Sequence, residues 1–193
     1  MGEAPVTSPP EPLRVLIPAE AIRRRVSELG REIALHYGDR TPVFVGVLKG
    51  AVVFLADLIR AVEAPLECDF IAVSSYGAQS RSSGIVKLTA DLAASVEERD
   101  VLIVEDIVDT GRTLAYLQRN LETRQPRSVR VCTLLDKAAR REVPDTLHHV
   151  GFTIPDEFVV GYGLDYGGRY RNLPHIAVLD LAGWAGDPTT PAG

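Results

Sequence analysis

Two adjacent carboxylates, Glu105 and Asp106, close the apolar run Val101-Leu102-Ile103-Val104, and a third acid, Asp109, follows three residues later. Directly after it stands the small polar stretch Thr110-Gly111-Arg112-Thr113. Gly111 allows a tight turn, and Thr110 to Thr113 fall at the start of a helical pattern. Unpaired N–H groups and the helix dipole favour an anion there. The two threonine hydroxyls add donors, so a phosphate suits the loop better than a carboxylate does. Glu105 and Asp106 cannot face that phosphate without repulsion. They suit sugar hydroxyls, or a cation that also holds phosphates. A phosphate loop with two acids placed for a ribose describes a ribose-5-phosphate site. The alternative is that all three acids are turn and cap residues at a strand-to-helix junction. Neither G-x-x-x-x-G-K-[ST] nor a G-x-G-x-x-G after a strand occurs, which argues against a nucleoside triphosphatase and a dinucleotide enzyme.

Periodicity predicts the elements that must position these residues. Residues 18–37 carry Ile22, Val26, Leu29 and Ile33 at helical spacing, with Pro18 at the start and Gly38 past the end. An amphipathic helix is expected. PVFVGVL (42–48) reads as a strand, after which Gly50 opens a buried helix over AVVFLADLIRAV. LECDFIAVSSY (66–76) reads as a strand and YGAQSRSSG (76–84) as a polar loop. VLIVED (101–106) shows almost no alternation, as expected for a strand buried on both faces of a parallel sheet. TLAYLQRNLET continues as a helix, and SVRVCTLLD (128–136) is the next strand. Strand and helix alternate, so the class is α/β with a mainly parallel sheet, whose ligands bind at the carboxyl ends of strands. The three acids sit at such an end.

Composition excludes several classes. At 193 residues, 46% hydrophobic and 24% charged, the chain reads as one ordinary globular domain. A net charge of −5 argues against nucleic acid as a partner, since phosphate neutralisation needs clustered Lys and Arg. No apolar stretch approaches the roughly 20 residues of a membrane span. MGEAPVTSPPEP has neither a basic nor an apolar segment of a signal peptide. Residues 1–12 read as a disordered Pro-rich tail, 183–193 as a flexible one, and 13–182 as a single domain in the cytoplasm. Cys68 and Cys132 lie in apolar strand-like runs and are expected to be free, buried and reduced. His148 and His149 read as neighbours in a loop, and no histidine pair has the i, i+4 spacing of a metal site. Trp184 is expected on the surface or at a subunit contact.

The stretch VLIVEDIVDTGRTL resembles the phosphoribosyl-pyrophosphate motif of the type I phosphoribosyltransferases. VGVLKGAVVF (45–54), SSYG with its loop (74–84), LLDK (134–137) and FVVGYGLDYGGRYRNLP (158–174) extend the likeness over nearly the whole chain between the tails. Together they bring it closest to the hypoxanthine phosphoribosyltransferase family. The last segment is the most specific, because it belongs to a purine-binding hood and not to the shared core.

The resemblance implies a type I phosphoribosyltransferase fold, with a core over roughly residues 40–140 and a small hood from the N-terminal segment and 145–182. It implies transfer of ribose-5-phosphate from phosphoribosyl pyrophosphate to N9 of a 6-oxopurine, with magnesium, by a cytoplasmic dimer or tetramer. Asp109 would accept the proton from purine N7. Glu105 and Asp106 would hold the ribose hydroxyls directly or through magnesium, with Asp165 a second magnesium contact. Thr110, Gly111, Arg112 and Thr113 would cradle the 5′-phosphate; position 112 varies in such loops. Leu48-Lys49-Gly50 would be the pyrophosphate loop, with a cis peptide before Lys49, and Arg171 would bind pyrophosphate too. Lys137 would donate to O6, Phe158 would stack on the ring and Val159 would read its edge. Ser75 and Tyr76 would begin a lid over the sugar. Taken singly, Lys49 and Arg171 read as surface residues, Phe158-Val159 as core, and Asp109 as a cap. Two other readings stand beside this one. The first is an enzyme of the same fold acting on xanthine or mainly on guanine. The second is a regulator that keeps the site but binds RNA or DNA; Asp109, the net charge and the lack of an appended nucleic-acid-binding domain speak against it.

Overall fold

The apolar run before the acids forms β5 (Asp100–Val108), which continues past them through Ile107 and Val108. Its side chains alternate between two cores. Leu102 and Val104 join one cluster, Val101 and Ile103 the other, so a strand of period two is apolar on both faces. The computed structural model describes residues 13–75, 86–144 and 146–180. Both tails, Tyr76 with the rest of the expected lid loop, and Trp184 lie outside the described residues.

The large sheet also contains β2 (Val43–Leu48), β3 (Glu67–Ser75), β4 (Val86–Ala90), β6 (Ser128–Asp136) and β7 (His149–Thr153). Its order is β4-β3-β2-β5-β6-β7, and every neighbouring pair is parallel except β3 with β4. On one face lie α1 (Ala19–Tyr37) and α2 (Val52–Ala61); on the other lies α3 (Arg112–Glu122). α1 buries Ile22, Val26, Leu29 and Ile33, starts after Pro18, and ends where the Gly38 N–H donates to the Ala34 carbonyl. Gly30 lets the two helices touch: a Cβ there would stand 2.3 Å from the Ala61 carbonyl oxygen. α3 turns Leu114, Leu117 and Leu121 inward.

A second, antiparallel sheet joins β1 (Leu13–Ile17) to β9 (Ile176–Leu179), and β9 to β8 (Val159–Val160). β7 pairs with β6 in the large sheet and takes no part in this small one. Among the described residues no helix is long and apolar enough to cross a membrane.

Two expectations fail here. Cys132 is buried on β6, but Cys68 is exposed on β3; both are free. Alternating residues of an edge-proximal strand do not share one environment, and apolar neighbours in sequence concealed that. His149 is no loop residue either. It begins β7, buried, with Nδ1 3.6 Å from Glu32 Oε2 and its ring 6.4 Å from that of His36. Burial, with Arg130 and His36 nearby, holds its pKa below the usual histidine range against the pull of Glu32.

A stability signature follows. The unfolded chain takes up the His149 proton more readily than the native one. Its contribution is therefore complete above the unfolded pKa of about 6.5 and is lost as pH falls below that value. One such group sets a limiting slope of about 1.4 kcal/mol per pH unit. Between about pH 7 and pH 5 the denaturation midpoint of His149→Gln should fall less steeply than that of the native chain; identical slopes would remove His149 as the cause.

Candidate active site

The carboxyl ends of β2 and β5 and the segment after β8 enclose a cleft of about 320 Å³. Lys49, Gly50, Glu105, Asp106, Thr113, Asp165 and Arg171 line it. A smaller hollow of about 90 Å³ beside it is lined by Glu105, Asp109, Thr110, Gly111 and Thr113. Residues from three separated stretches, 49–50, 105–113 and 165–171, thus meet around two spaces that share Glu105 and Thr113.

Each is placed by its element. Glu105 and Asp106 lie on the last turn of pleat before β5 ends; Glu105 is buried, and Asp106 Oδ1 accepts the Ile107 N–H at 2.9 Å. Burial, then the adjacent Asp106 carboxylate, push the Glu105 carboxyl well above the usual range. Burial raises Asp106 as well, opposed by the Ile107 N–H and the Arg171 charge. Two crowded acids with this little compensation suit a cation or a ring of hydroxyl donors. Gly111 stands at φ 84°, a left-handed conformation at the start of α3, where the Arg112 N–H donates to Thr110 Oγ1 at 3.4 Å, and Arg112 Nη2 reaches Glu142 Oε2 at 2.6 Å. That ion pair turns the Arg112 charge toward residue 142. The peptide between Leu48 and Lys49 is cis.

The third acid has company that its sequence neighbours did not announce. Arg140 Nε lies 3.1 Å from Asp109 Oδ1, and Arg140 Nη1 lies 3.5 Å from Asp156 Oδ1. Lys137 is buried, its Nζ 3.9 Å from the same Asp156 oxygen, while its N–H donates to the Val108 carbonyl at 2.9 Å and ties the ends of β5 and β6 together. Arg141 Nη1 donates to the Asp109 carbonyl. The one trace of this in the sequence is the pair Arg140-Arg141, three and four residues after Lys137.

Phe158 is exposed and meets Tyr166 edge to face at 5.4 Å; Val159 is buried on β8. Neither they nor Lys137 line either space. Arg171 Nη2 pairs with Asp165 Oδ1 at 2.6 Å and Nη1 donates to the Gly163 carbonyl. Ser75 ends β3, and Tyr76 lies outside the described residues.

A model of the phosphoribosyl transferase domain matches residues 17–167. The hypoxanthine-guanine phosphoribosyltransferase of Bacillus subtilis is 52% identical over 88% of this chain and 94% of its own. The chain belongs to the hypoxanthine-guanine phosphoribosyltransferase family. A crystal structure of a hypoxanthine phosphoribosyltransferase from Staphylococcus aureus superposes with a TM-score of 0.85 at 43% identity, covering 90% of this chain and 94% of that one. A bifunctional TilS/HprT protein of Listeria monocytogenes is 54% identical over 86% of the chain, which spans 26% of that longer protein.

In this chain the glycine of the Leu48-Lys49-Gly50 loop is set by contact. A Cβ on Gly50 would stand 1.7 Å from Asp106 Oδ2, so any side chain must displace that carboxylate. Gly50→Ala is expected to lower kcat/KM on the order of 10²-fold, the cost of misplacing a reacting group by about 1 Å. Steady-state kinetics beside a thermal melt check it: an unchanged kcat/KM would mean that Asp106 moves freely.

Proposed function

We propose that the chain salvages purines, transferring the 5-phosphoribosyl group from phosphoribosyl pyrophosphate to N9 of hypoxanthine or guanine and releasing pyrophosphate. The observation that carries this reading is that Glu105 and Asp106 meet Lys49 and Arg171 around one cleft, while the anion loop lines the hollow beside it, with Glu105 and Thr113 common to both. The loop Thr110–Thr113 would take the 5′-phosphate through backbone N–H groups and hydroxyls. Glu105 and Asp106 would hold the ribose hydroxyls and favour the positive charge that grows on an oxocarbenium-like sugar. Lys49, Gly50 and Arg171 would receive the pyrophosphate, the guanidinium fork matching paired phosphate oxygens. On the purine side, Lys137 would meet O6, Phe158 the ring face and Val159 the ring edge. Asp109 would take the N7 proton as N9 attacks C1 of the sugar and the bond to pyrophosphate breaks. Ser75 and Tyr76 would open the lid that keeps water from the activated sugar.

Magnesium fits the donor set. Glu105 and Asp106 are two crowded carboxylates whose charges oppose one another. Among the described residues no three His, Cys, Asp or Glu side chains converge as a complete protein cage, so substrate oxygens would share the coordination. Glu105 and Asp106 would hold one ion and Asp165 a second, once Asp165 leaves Arg171. A bound ion would screen the charge of the departing pyrophosphate.

The unit proposed is one domain over residues 13–182 in a cytoplasmic dimer or tetramer, working on small molecules and not on nucleic acid or membrane. An absorbance assay with phosphoribosyl pyrophosphate and hypoxanthine, guanine or xanthine tests the reaction, and sedimentation tests the assembly. Sequence-specific RNA or DNA retention without turnover of any 6-oxopurine would replace the enzyme by the regulator.

A further inference from the structure

Residues 161–164 form a tight turn in which Gly161 and Leu164 exchange both backbone hydrogen bonds at 3.0 Å. Three successive residues have positive φ: Gly161 at 100°, Tyr162 at 49° and Gly163 at 101°. Glycine takes this conformation readily, but a tyrosine does not, and a bulky residue held there marks a local constraint with a use elsewhere. The use is visible in the side chain. The Tyr162 ring is buried in the core between sheet and helices, and its hydroxyl donates to Asp57 Oδ2 at 2.6 Å. The other Asp57 oxygen is taken by Arg60. Asp57 lies on α2, the helix that starts directly after the Leu48-Lys49-Gly50 loop.

The turn touches both pyrophosphate elements. A Cβ on Gly163 would stand 2.1 Å from the Gly50 carbonyl oxygen, so the two backbones are in direct contact. The Gly163 N–H donates to the Arg171 carbonyl at 3.0 Å, and Arg171 Nη1 donates back to the Gly163 carbonyl. Gly50 in turn rests on Asp106. Upstream, the same turn runs without interruption into β8 and Phe158 on the purine side. A shift of the turn would therefore move Gly50 and Arg171 together, relative to a purine pocket it also borders.

We propose that Tyr162 and Asp57 are positioning residues for the reaction: their hydrogen bond seats Gly163 on Gly50 and so fixes the pyrophosphate side of the site against the purine side. The inference rests on the proposed reaction, and wild-type turnover of hypoxanthine is measured first to test that separately. Tyr162→Phe removes one hydroxyl and keeps the buried ring. It is expected to weaken binding of inorganic pyrophosphate by about tenfold in calorimetry, the size of one hydrogen bond to a charged acceptor. The KM for phosphoribosyl pyrophosphate should rise with it, while that for hypoxanthine changes less than about twofold. Asp57→Ala should reproduce the loss, and Asp57→Asn, which keeps an acceptor, should restore most of it. Pyrophosphate binding unchanged in Tyr162→Phe overturns the proposal. So does a fall in melting temperature with both KM values moving equally, which is what a purely structural anchor gives. Tyr162→Phe and Asp57→Asn decide the matter should Asp57→Ala fail to fold.

Discussion

Adenine is expected to be used at least about 10⁴-fold less efficiently than hypoxanthine, because the proposed base contact is a cation with no acceptor. The Lys137 ammonium is buried, and its nearest anion, Asp156 Oδ1, stands at 3.9 Å, beyond a hydrogen bond. Its donors are therefore available to a ligand. A 6-oxo group satisfies one of them with a charge-assisted bond. The 6-amino group of adenine would set donor against donor in a site that excludes water, leaving the ammonium desolvated and unpaired. Lys137→Ala should accordingly depress kcat/KM for hypoxanthine and guanine far more than it weakens binding of phosphoribosyl pyrophosphate, whose proposed contacts lie across the cleft. Xanthine should be the poorer 6-oxopurine, since its second oxo group and partial charge need a further donor. Comparable rates with adenine and hypoxanthine would overturn the role given to Lys137 and the choice of base together.

Asp109→Asn is expected to cut the turnover number by about 10²- to 10⁴-fold, the range for loss of a placed general base. The substitution isolates the proton. An amide keeps the size of the side chain and an oxygen in the place of the one that stands 3.1 Å from Arg140 Nε. The backbone of Thr110–Thr113 is untouched, so calorimetric binding of phosphoribosyl pyrophosphate should stay within a few-fold of wild type. Turnover near normal would remove Asp109 from the chemistry. Lost binding would point instead to a structural role at the start of α3.

Most of the scaffold was legible because its signals are local. The unalternating run before Glu105, the 3.6-residue spacing from Ile22 to Ile33, and Gly38 at the helix end each report their own surroundings. The candidate site was legible where its residues are consecutive, as in Glu105–Thr113, which line the cleft and the hollow. What escaped depends on partners distant in the chain. Nothing around Asp109 announces Arg140, 31 positions on, whose approach requires β5 and β6 to end side by side. Nothing around Tyr162 announces Asp57, 105 positions away. His149 was misplaced for a related reason: a strand of five residues after a proline-containing loop carries too short a pattern, and its burial comes from α1.

The small sheet has a consequence for how the molecule is made. Among the described strands β1 pairs with β9 alone, Leu13 opposite Leu179, so its partner is almost the last part of the described chain to be translated. The large sheet, closed by residues 43–153, takes no backbone pairing from either strand, although Ile17 and Ile176 complete the core beneath it. At a synthesis rate of about 5–20 residues per second, the apolar segment LRVLI waits roughly 10 to 30 s on the ribosome before its hydrogen-bonding edge is covered. An unpaired strand edge is a ready template for pairing with another chain. Until then the segment is open to pairing with a neighbouring chain still being made.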